Sequence, residues 1–416
     1  MHTRQISAPF NLSFQDKYIL AFEREDLPFN SHLVLDCEGE VDVQKVKNAF
    51  KKLIELEPFA RIIPDLETGR FRLVEGDDGE SQFFTLKENE LEDFWEKKFL
   101  FPDELAVRMG ICEKKIIFSF HHAIYDGHAQ FNFLQDFLTV YLGKSYQSRT
   151  LEKDVYKFRK YFLETKPSWY FRNLLPLFKV QKKKGKTRIA RLYDSEPASR
   201  KVDMELIELD RKVMDQAARK KALSSSAFIS LVGAKAMDKL LRERGDEENP
   251  IVLYITKSMR FEFKVMRAYQ NLLGFIWMKI ERSEIGKSDF GVKFRDTYKF
   301  RSGEDEVRKT LLLGALLVKL KLFAELKKIL RKKEERVHDC TLLVSSGRTP
   351  AEIVFPEEWK INRLYAKGSM HRSPGIGLLV TSFKQKDFIC IEYLRDSFKK
   401  ETIARFKELV LQELQE

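Results

Sequence analysis

FSFHHAIYDGHAQFNFLQDF, residues 118–137, sets three of the chain's seven histidines, an aspartate and a glycine into one short apolar run. Its first residues continue an alternation of Ile116, Phe118 and Phe120 with Ile117 between them. That pattern reads as a strand covered on both faces, and so central in its sheet. After Asp126-Gly127 the period changes to a helical one, carried by Phe131, Leu134, Phe137, Leu138 and Tyr141. The stretch therefore predicts strand, tight loop and helix, with His121 and His122 at the C-terminal end of the strand.

Three readings of the histidine pair compete. One is structural, with buried imidazoles satisfying backbone groups. A metal site is the second, but His121, His122, Asp126 and His128 do not reproduce the same-face helical spacing of HExxH, and no metal is expected. The third is catalytic and accounts for more of the residues. A neutral imidazole, with an ordinary pKa of about 6.5, can take a proton from an alcohol or amine near neutrality. An aspartate after a tight loop can fix that loop by ion pairing, and glycine permits a sharp turn and close approach of backbone to substrate.

Working outward, 416 residues exceed one ordinary core and predict two domains or lobes. The 34 phenylalanines read as core filling or as the lining of an apolar tunnel. A formal charge of +12 favours an acidic partner: a phosphorylated cofactor, an acidic carrier protein or an anionic membrane surface. Nucleic acid is set aside, because the basic residues are scattered and no recognised module is present. The densest basic runs are KVQKKKGKTRIAR, residues 179–191, and RKKEER, residues 331–336. Cys37, Cys112, Cys340 and Cys390 form no CxxC pair and read as buried thiols of a reducing compartment. The N-terminus lacks a signal-peptide pattern, and LLLGALLV at 311–318 is too short to span a bilayer. A cytoplasmic protein, or one peripheral on the cytoplasmic side of a membrane, is the expectation.

Elsewhere, HLVLDCEGEV (32–41) predicts a strand, and Asp42 caps a helix through Val46, Phe50, Leu53 and Ile54 that Pro58 ends. A hairpin turns at Thr68-Gly69, and two strands meet at Glu113-Lys114. Past an irregular aromatic and basic crossover, strands are expected at 202–209, 251–256, 271–280, 341–346, 375–383 and 387–394. Helices should begin near Asp210 and at Ser224-Ser225-Ser226, with a long basic one over about 304–334 and a closing one from Lys400. Strands and helices mix without a regular βαβ repeat, so the fold class is α+β with mixed or antiparallel sheets.

HHAIYDG matches HHxxxDG in full, and on it the chain resembles the acyltransferases that carry this motif. They include chloramphenicol acetyltransferase, the condensation domains of peptide synthetases, and the wax ester synthase/diacylglycerol acyltransferase and alcohol acyltransferase groups. FNLSFQDKYIL resembles the family's opening segment, and VDVQKVKNAFKKLIELEPFAR its first helix. ITKSMR and NLLGFIW resemble its arginine strand and Asn-x-x-Gly-Phe strand, LLVSSG its "SN.G" segment, and FICIEYLRDSFKKETIARFKELV its closing strand and helix. The similarity extends over nearly the whole chain and is weaker outside the motif. DFGWG is absent, and Ser345-Ser346-Gly347 replaces Ser-Asn-x-Gly.

The resemblance implies two chloramphenicol-acetyltransferase-like lobes, 1–165 with the motif and 201–416, joined by a crossover at 166–200, with an active-site channel between them. His122 would be the general base and Asp126 a loop anchor paired with Arg260. His121 would orient its neighbour, and Gly127 would shape the turn and bring a backbone N–H toward an oxyanion. Asn271 and Ser346 are candidate channel-lining residues, and His128 is a bystander. No bound cofactor is implied: acyl-CoA or acyl-phosphopantetheine would be a co-substrate, from CoA or an acidic carrier protein on another chain, and the acceptor a hydroxyl or amine. Trp169, Tyr170, Phe171, Leu174 and Leu175 beside lysines would suit a lipid-like substrate or peripheral membrane contact. The alternative is a non-catalytic binding or recruiting module, against which the intact motif argues.

Overall fold

The computed structural model describes residues 28–65, 67–76, 79–101, 103–148, 189–196, 201–303, 340–348, 353–370 and 374–416, together with 11–12, 16–17, 19–20, 23, 168, 306–307 and 350. Most of the 166–200 crossover, its interfacial aromatic residues, the lysine-rich run up to residue 188, and the RKKEER run lie outside the described residues. So does nearly all of the expected 304–334 helix.

The strands are β1 (Asn30–Cys37), β2 (Ile62–Asp65), β3 (Arg70–Leu73), β4 (Phe83–Leu86), β5 (Val107–Cys112), β6 (Lys115–His121), β7 (Val202–Asp210), β8 (Ile251–Ser258), β9 (Leu273–Ile280), β10 (Leu342–Arg348), β11 (Ile361–Lys367), β12 (Ile376–Phe383) and β13 (Lys386–Leu394). The helices that organise the packing are α1 (Val43–Leu56), α2 (Gly127–Tyr141), α3 (Arg211–Lys220), α4 (Ser225–Glu243) and α5 (Lys400–Gln415).

The turn chemistry follows the sequence. Asp42, Asp126, Asp210 and Ser224 are N-caps whose side chains accept from Lys45, Ala129, Lys212 and Ala227 N–H groups. Gly69, at φ +68°, turns β2 into β3.

The chain divides into two compact units. The first comprises Met1–Leu163, Met259–Leu272 and Thr349–Ser369; the second comprises Glu164–Ser258, Leu273–Arg348 and Met370–Glu416. A single boundary at the crossover, as the sequence suggests, assigns 259–272 and 349–369 to the second lobe. The contacts group both with the first, because β11 pairs antiparallel along β1 and because the 259–272 segment is bonded to the His-Asp loop, as described below.

The first unit is built on a five-stranded sheet ordered β11-β1-β6-β5-β4, in which β6 is central, paired antiparallel with β1 and β5. Phe118 and Phe120 on one face of β6 meet Phe133 and Phe137 of α2, with ring centroids 5.1–6.1 Å apart. Phe50 of α1 completes that layer at 6.3 Å from Phe133. The apolar period of residues 129–141 is thus spent on holding α2 against the strand that bears the motif.

The second unit carries a six-stranded sheet ordered β7-β13-β12-β10-β8-β9. β10 runs parallel to β8 and β12, and the other pairs are antiparallel, so the sheet is mixed. α4 packs on it and against α5. A Cβ at Gly233 of α4 would stand 2.7 Å from Leu342 Cδ2 and 2.9 Å from Leu378 Cδ1, so glycine sets how closely this helix approaches the sheet. Cys37, Cys112, Cys340 and Cys390 are all buried and free. Among the described residues no helix is long and apolar enough to cross a membrane.

Candidate active site

The site lies in the first unit, where β6 ends. His121 N–H donates to the Ala106 carbonyl at 2.9 Å, and His122 N–H to the Phe29 carbonyl at 2.8 Å, so both backbones are still held as the strand finishes. The side chains then diverge to opposite faces, as alternation requires. His121 is fully buried, whereas His122 is half-buried.

The turn closes on His121. Its carbonyl accepts from Ile124 and Tyr125 N–H at 3.1 Å, and its Nδ1 accepts from Ala123 N–H at 3.2 Å. An imidazole nitrogen that accepts a backbone N–H carries no proton, so the neutral ring bears its hydrogen on Nε2. Phe99 and Phe101 meet the ring edge-on, with centroids at 5.8 and 4.9 Å.

Asp126 begins α2 and uses both carboxylate oxygens. Oδ1 accepts from Ala129 N–H at 2.8 Å and from Arg260 Nη2 at 2.7 Å, while Oδ2 accepts from Leu272 N–H at 2.8 Å. Both members of the ion pair are 0% exposed. Such a pair is sustained only when its remaining polar valences are filled. Arg260 goes toward that condition by donating also to the Ala268 carbonyl at 2.9 Å and the Gln270 carbonyl at 2.6 Å. Burial pushes the Asp126 carboxyl upward, but the Arg260 guanidinium and the two backbone N–H groups outweigh it and hold the group below its ordinary value.

Arg260 stands two residues beyond the end of β8 and opens a short helix, Arg260–Phe263, rather than ending the strand. The segment it leads runs alongside α2. Asn132 Nδ2 donates to the Met266 carbonyl at 3.0 Å, and the buried Tyr269 hydroxyl donates to Asp136. Asn271, 5% exposed, donates from Nδ2 to the His122 carbonyl at 2.8 Å and lies 3.5 Å from His122 Nδ1. The His122 backbone is therefore clamped on both sides, by Phe29 and by Asn271.

Gly127 is exposed and does not adopt a positive φ, and a Cβ added there would meet nothing within 4 Å. The turn therefore does not depend on glycine for its shape, which corrects the expectation; what glycine leaves is open space at the first turn of α2. His128 is half-buried, and burial lowers its pKa, with Arg260 adding to the effect and Asp126 opposing it.

Neither a protein-family model nor a curated protein sequence matches the chain. Solved structures do. The cyclization-docking bidomain of a nonribosomal peptide synthetase from Sorangium cellulosum aligns with a TM-score of 0.72 at 12% identity, over 98% of this chain and 84% of that one. Trichothecene 15-O-acetyltransferase from Fusarium sporotrichioides aligns at 0.67 and 10% identity, over 97% and 94%. The epimerization domain from the third module of tyrocidine synthetase B aligns at 0.68 and 12% identity, over 100% and 98%. The fold is that of the condensation domains and chloramphenicol-acetyltransferase-like enzymes. At such identities the likeness speaks of the fold, and the chemistry has to be argued from the site.

Within this condensation-type fold, the structure gathers His121, His122, Asp126, Gly127, Arg260 and Asn271 in the first unit. Ser346 is in the second unit, where it is exposed on β10 and edges a cavity of about 460 Å³ shared with Ser224, Ser225, Ser226 and Arg219. Sequence reasoning missed the Leu272 N–H and the Phe29 carbonyl, which are backbone groups that no residue type announces. It also missed Tyr269, Asp136 and Glu23, none of which stands in a motif.

Proposed function

We propose that this protein is an acyltransferase, moving an acyl group from a thioester, acyl-CoA or an acyl-carrier protein, to a hydroxyl or amine. The observation that carries the reading is the half-buried imidazole of His122, on a main chain bonded on both sides and followed by a buried Asp126–Arg260 pair that is bonded in turn to backbone groups. A side chain carried on so firmly held a main chain, yet still accessible, suits proton transfer better than packing. The lean toward a thioester donor draws support from the condensation-type fold and from the basic charge of the chain.

In this reading His122 takes the proton of the acceptor O–H or N–H as that atom attacks the thioester carbonyl. The tetrahedral oxyanion collapses, the C–S bond breaks, and the departing thiolate recovers the proton from His122. Asp126 stays ionised and fixes the loop without relaying a proton. The first N–H groups of α2 have no intrahelical acceptor; Asp126 takes that of Ala129, and with no side chain at Gly127 the N–H groups of Gly127 and His128 would serve the oxyanion, an interaction often worth about 3 kcal/mol of barrier. Location on the cytoplasmic side, with membrane contact near residues 169–175, belongs to the same proposal.

The test is incubation with a panel of acyl-CoAs and acceptors, followed through release of free thiol. The wild type should turn over at least one donor, and His122→Ala should lose about 10²- to 10⁴-fold in kcat without loss of folding. Turnover by His122→Ala at the wild-type rate removes the general base from this reading. A wild type that binds acyl thioesters without turnover is instead the recruiting module.

A further inference from the structure

Behind the motif, on the sheet face opposite the α2 layer, Glu23 reaches His121. Glu23 is 8% exposed and His121 0%. Glu23 Oε1 lies 3.2 Å from His121 Nε2, and both are buried atoms that make no hydrogen bond among the described residues, so each is the nearest available partner for the other. The opposite ring nitrogen, Nδ1, accepts the Ala123 N–H. We infer that Glu23 is a positioning residue for His122, acting through the His121 ring; this rests on the acyltransferase reading of the site.

The chemistry is that of an oriented imidazole. With its proton on Nε2, His121 turns a hydrogen toward the Glu23 carboxylate 3.2 Å away while its Nδ1 accepts from Ala123. In the other tautomer, Nδ1–H would face the Ala123 N–H, donor against donor, and Nε2 would face a carboxylate with no hydrogen to offer. The bond from Ala123 and the favourable approach to the carboxylate would be lost together. Glu23 therefore selects the tautomer that allows Ala123 N–H to fold back onto His121, and Ala123 is the residue that follows His122. The strand-to-loop bend at His122 is held from one side by Asn271 and Asp126, and from the other by the path Glu23, His121, Ala123. Phe99 and Phe101 prevent the ring from tilting away. Arg108, which also faces Glu23, has its own carboxylate partner in Glu104, so its charge does not depend on the Glu23–His121 contact.

The experiment compares Glu23→Leu and Glu23→Gln with wild type. Nitrogen NMR of the histidine ring should find His121 with bare Nδ1 and protonated Nε2 in wild type and in Glu23→Gln, whose amide oxygen still accepts. Glu23→Leu should shift His121 toward a mixture of tautomers. In the thiol-release assay Glu23→Leu should lose about 10- to 100-fold in kcat with little change in KM, the scale of a misplaced reacting group, and Glu23→Gln should recover most of it. In a His121→Phe background, which needs no acceptor, Glu23→Leu should add nothing. An unchanged His121 tautomer in Glu23→Leu, or a kcat loss that Gln does not rescue, overturns the inference. If Glu23→Leu fails to fold, the Gln variant and the wild-type tautomer decide: a wild-type His121 protonated on Nδ1 refutes it. Should the wild type turn over no donor, the acyltransferase reading fails, while the tautomer measurement still judges the Glu23–His121 contact.

Discussion

Asp126→Asn is the sharpest test of how the loop is held. Removing one member of a buried ion pair costs about 3–5 kcal/mol, because the other charge is left without compensation. The lower end applies here. Asparagine keeps an oxygen that can accept from Ala129 N–H and Arg260 Nη2, and Arg260 retains its carbonyl acceptors at Ala268 and Gln270. What asparagine cannot do is accept at the second atom: its Nδ2 would meet the Leu272 N–H, donor against donor. A loss of about 3 kcal/mol is expected, or roughly 100-fold in an equilibrium constant. Amide hydrogen exchange reads it locally, as a fall of that order in protection of the Leu272 and Ala129 amides. The pH dependence supplies a second signature. The folded carboxyl lies below its ordinary value, so the stabilisation is fully present above about pH 4 and drains away as pH falls through the folded pKa. The asparagine variant should lack that acid-side decline. Wild-type protection at both amides in Asp126→Asn, with the acid-side decline intact, would refute the reasoning.

His32, buried on the sheet face opposite α2, has a pKa held well below 6.5 by burial and by the nearby charges of Lys367 and Arg108. Its unfolded counterpart takes a proton near pH 6.5, so the first unit should lose stability as pH falls below about 6.5. Urea unfolding midpoints above and below that pH should differ less in His32→Gln. Gly233→Val would drive its side chain into Leu342 and Leu378, both 0% exposed, and should cost about 1–3 kcal/mol of second-unit stability, read from the same denaturation.

The motif strand, its central place and the helix after it are legible because they rest on local periods: two-residue alternation up to Phe120, helical spacing after Gly127. The N-caps at Asp42, Asp126, Asp210 and Ser224 are likewise local, since each side chain bonds an N–H two or three residues ahead. β4 and β11 are not legible in the same way. β4 is only four residues long, and the identity of each as a strand comes from a partner outside its own neighbourhood: β4 lies parallel to β5, and β11 pairs with β1 more than 320 residues away.

By itself, then, the sequence determined the mixed α+β character, the strand-loop-helix frame of the motif, and the candidacy of His122 and Asp126, because residue type and spacing act within a few residues. Only the tertiary structure decided what completes the site. The 259–272 segment is grouped with the first unit by a buried charge that must be compensated. Two adjacent histidines part because alternation buries one against Glu23 and leaves the other accessible. Ser346 is placed on a different sheet altogether. Contacts of this kind depend on which surfaces meet when apolar faces are buried, and no local pattern encodes that meeting.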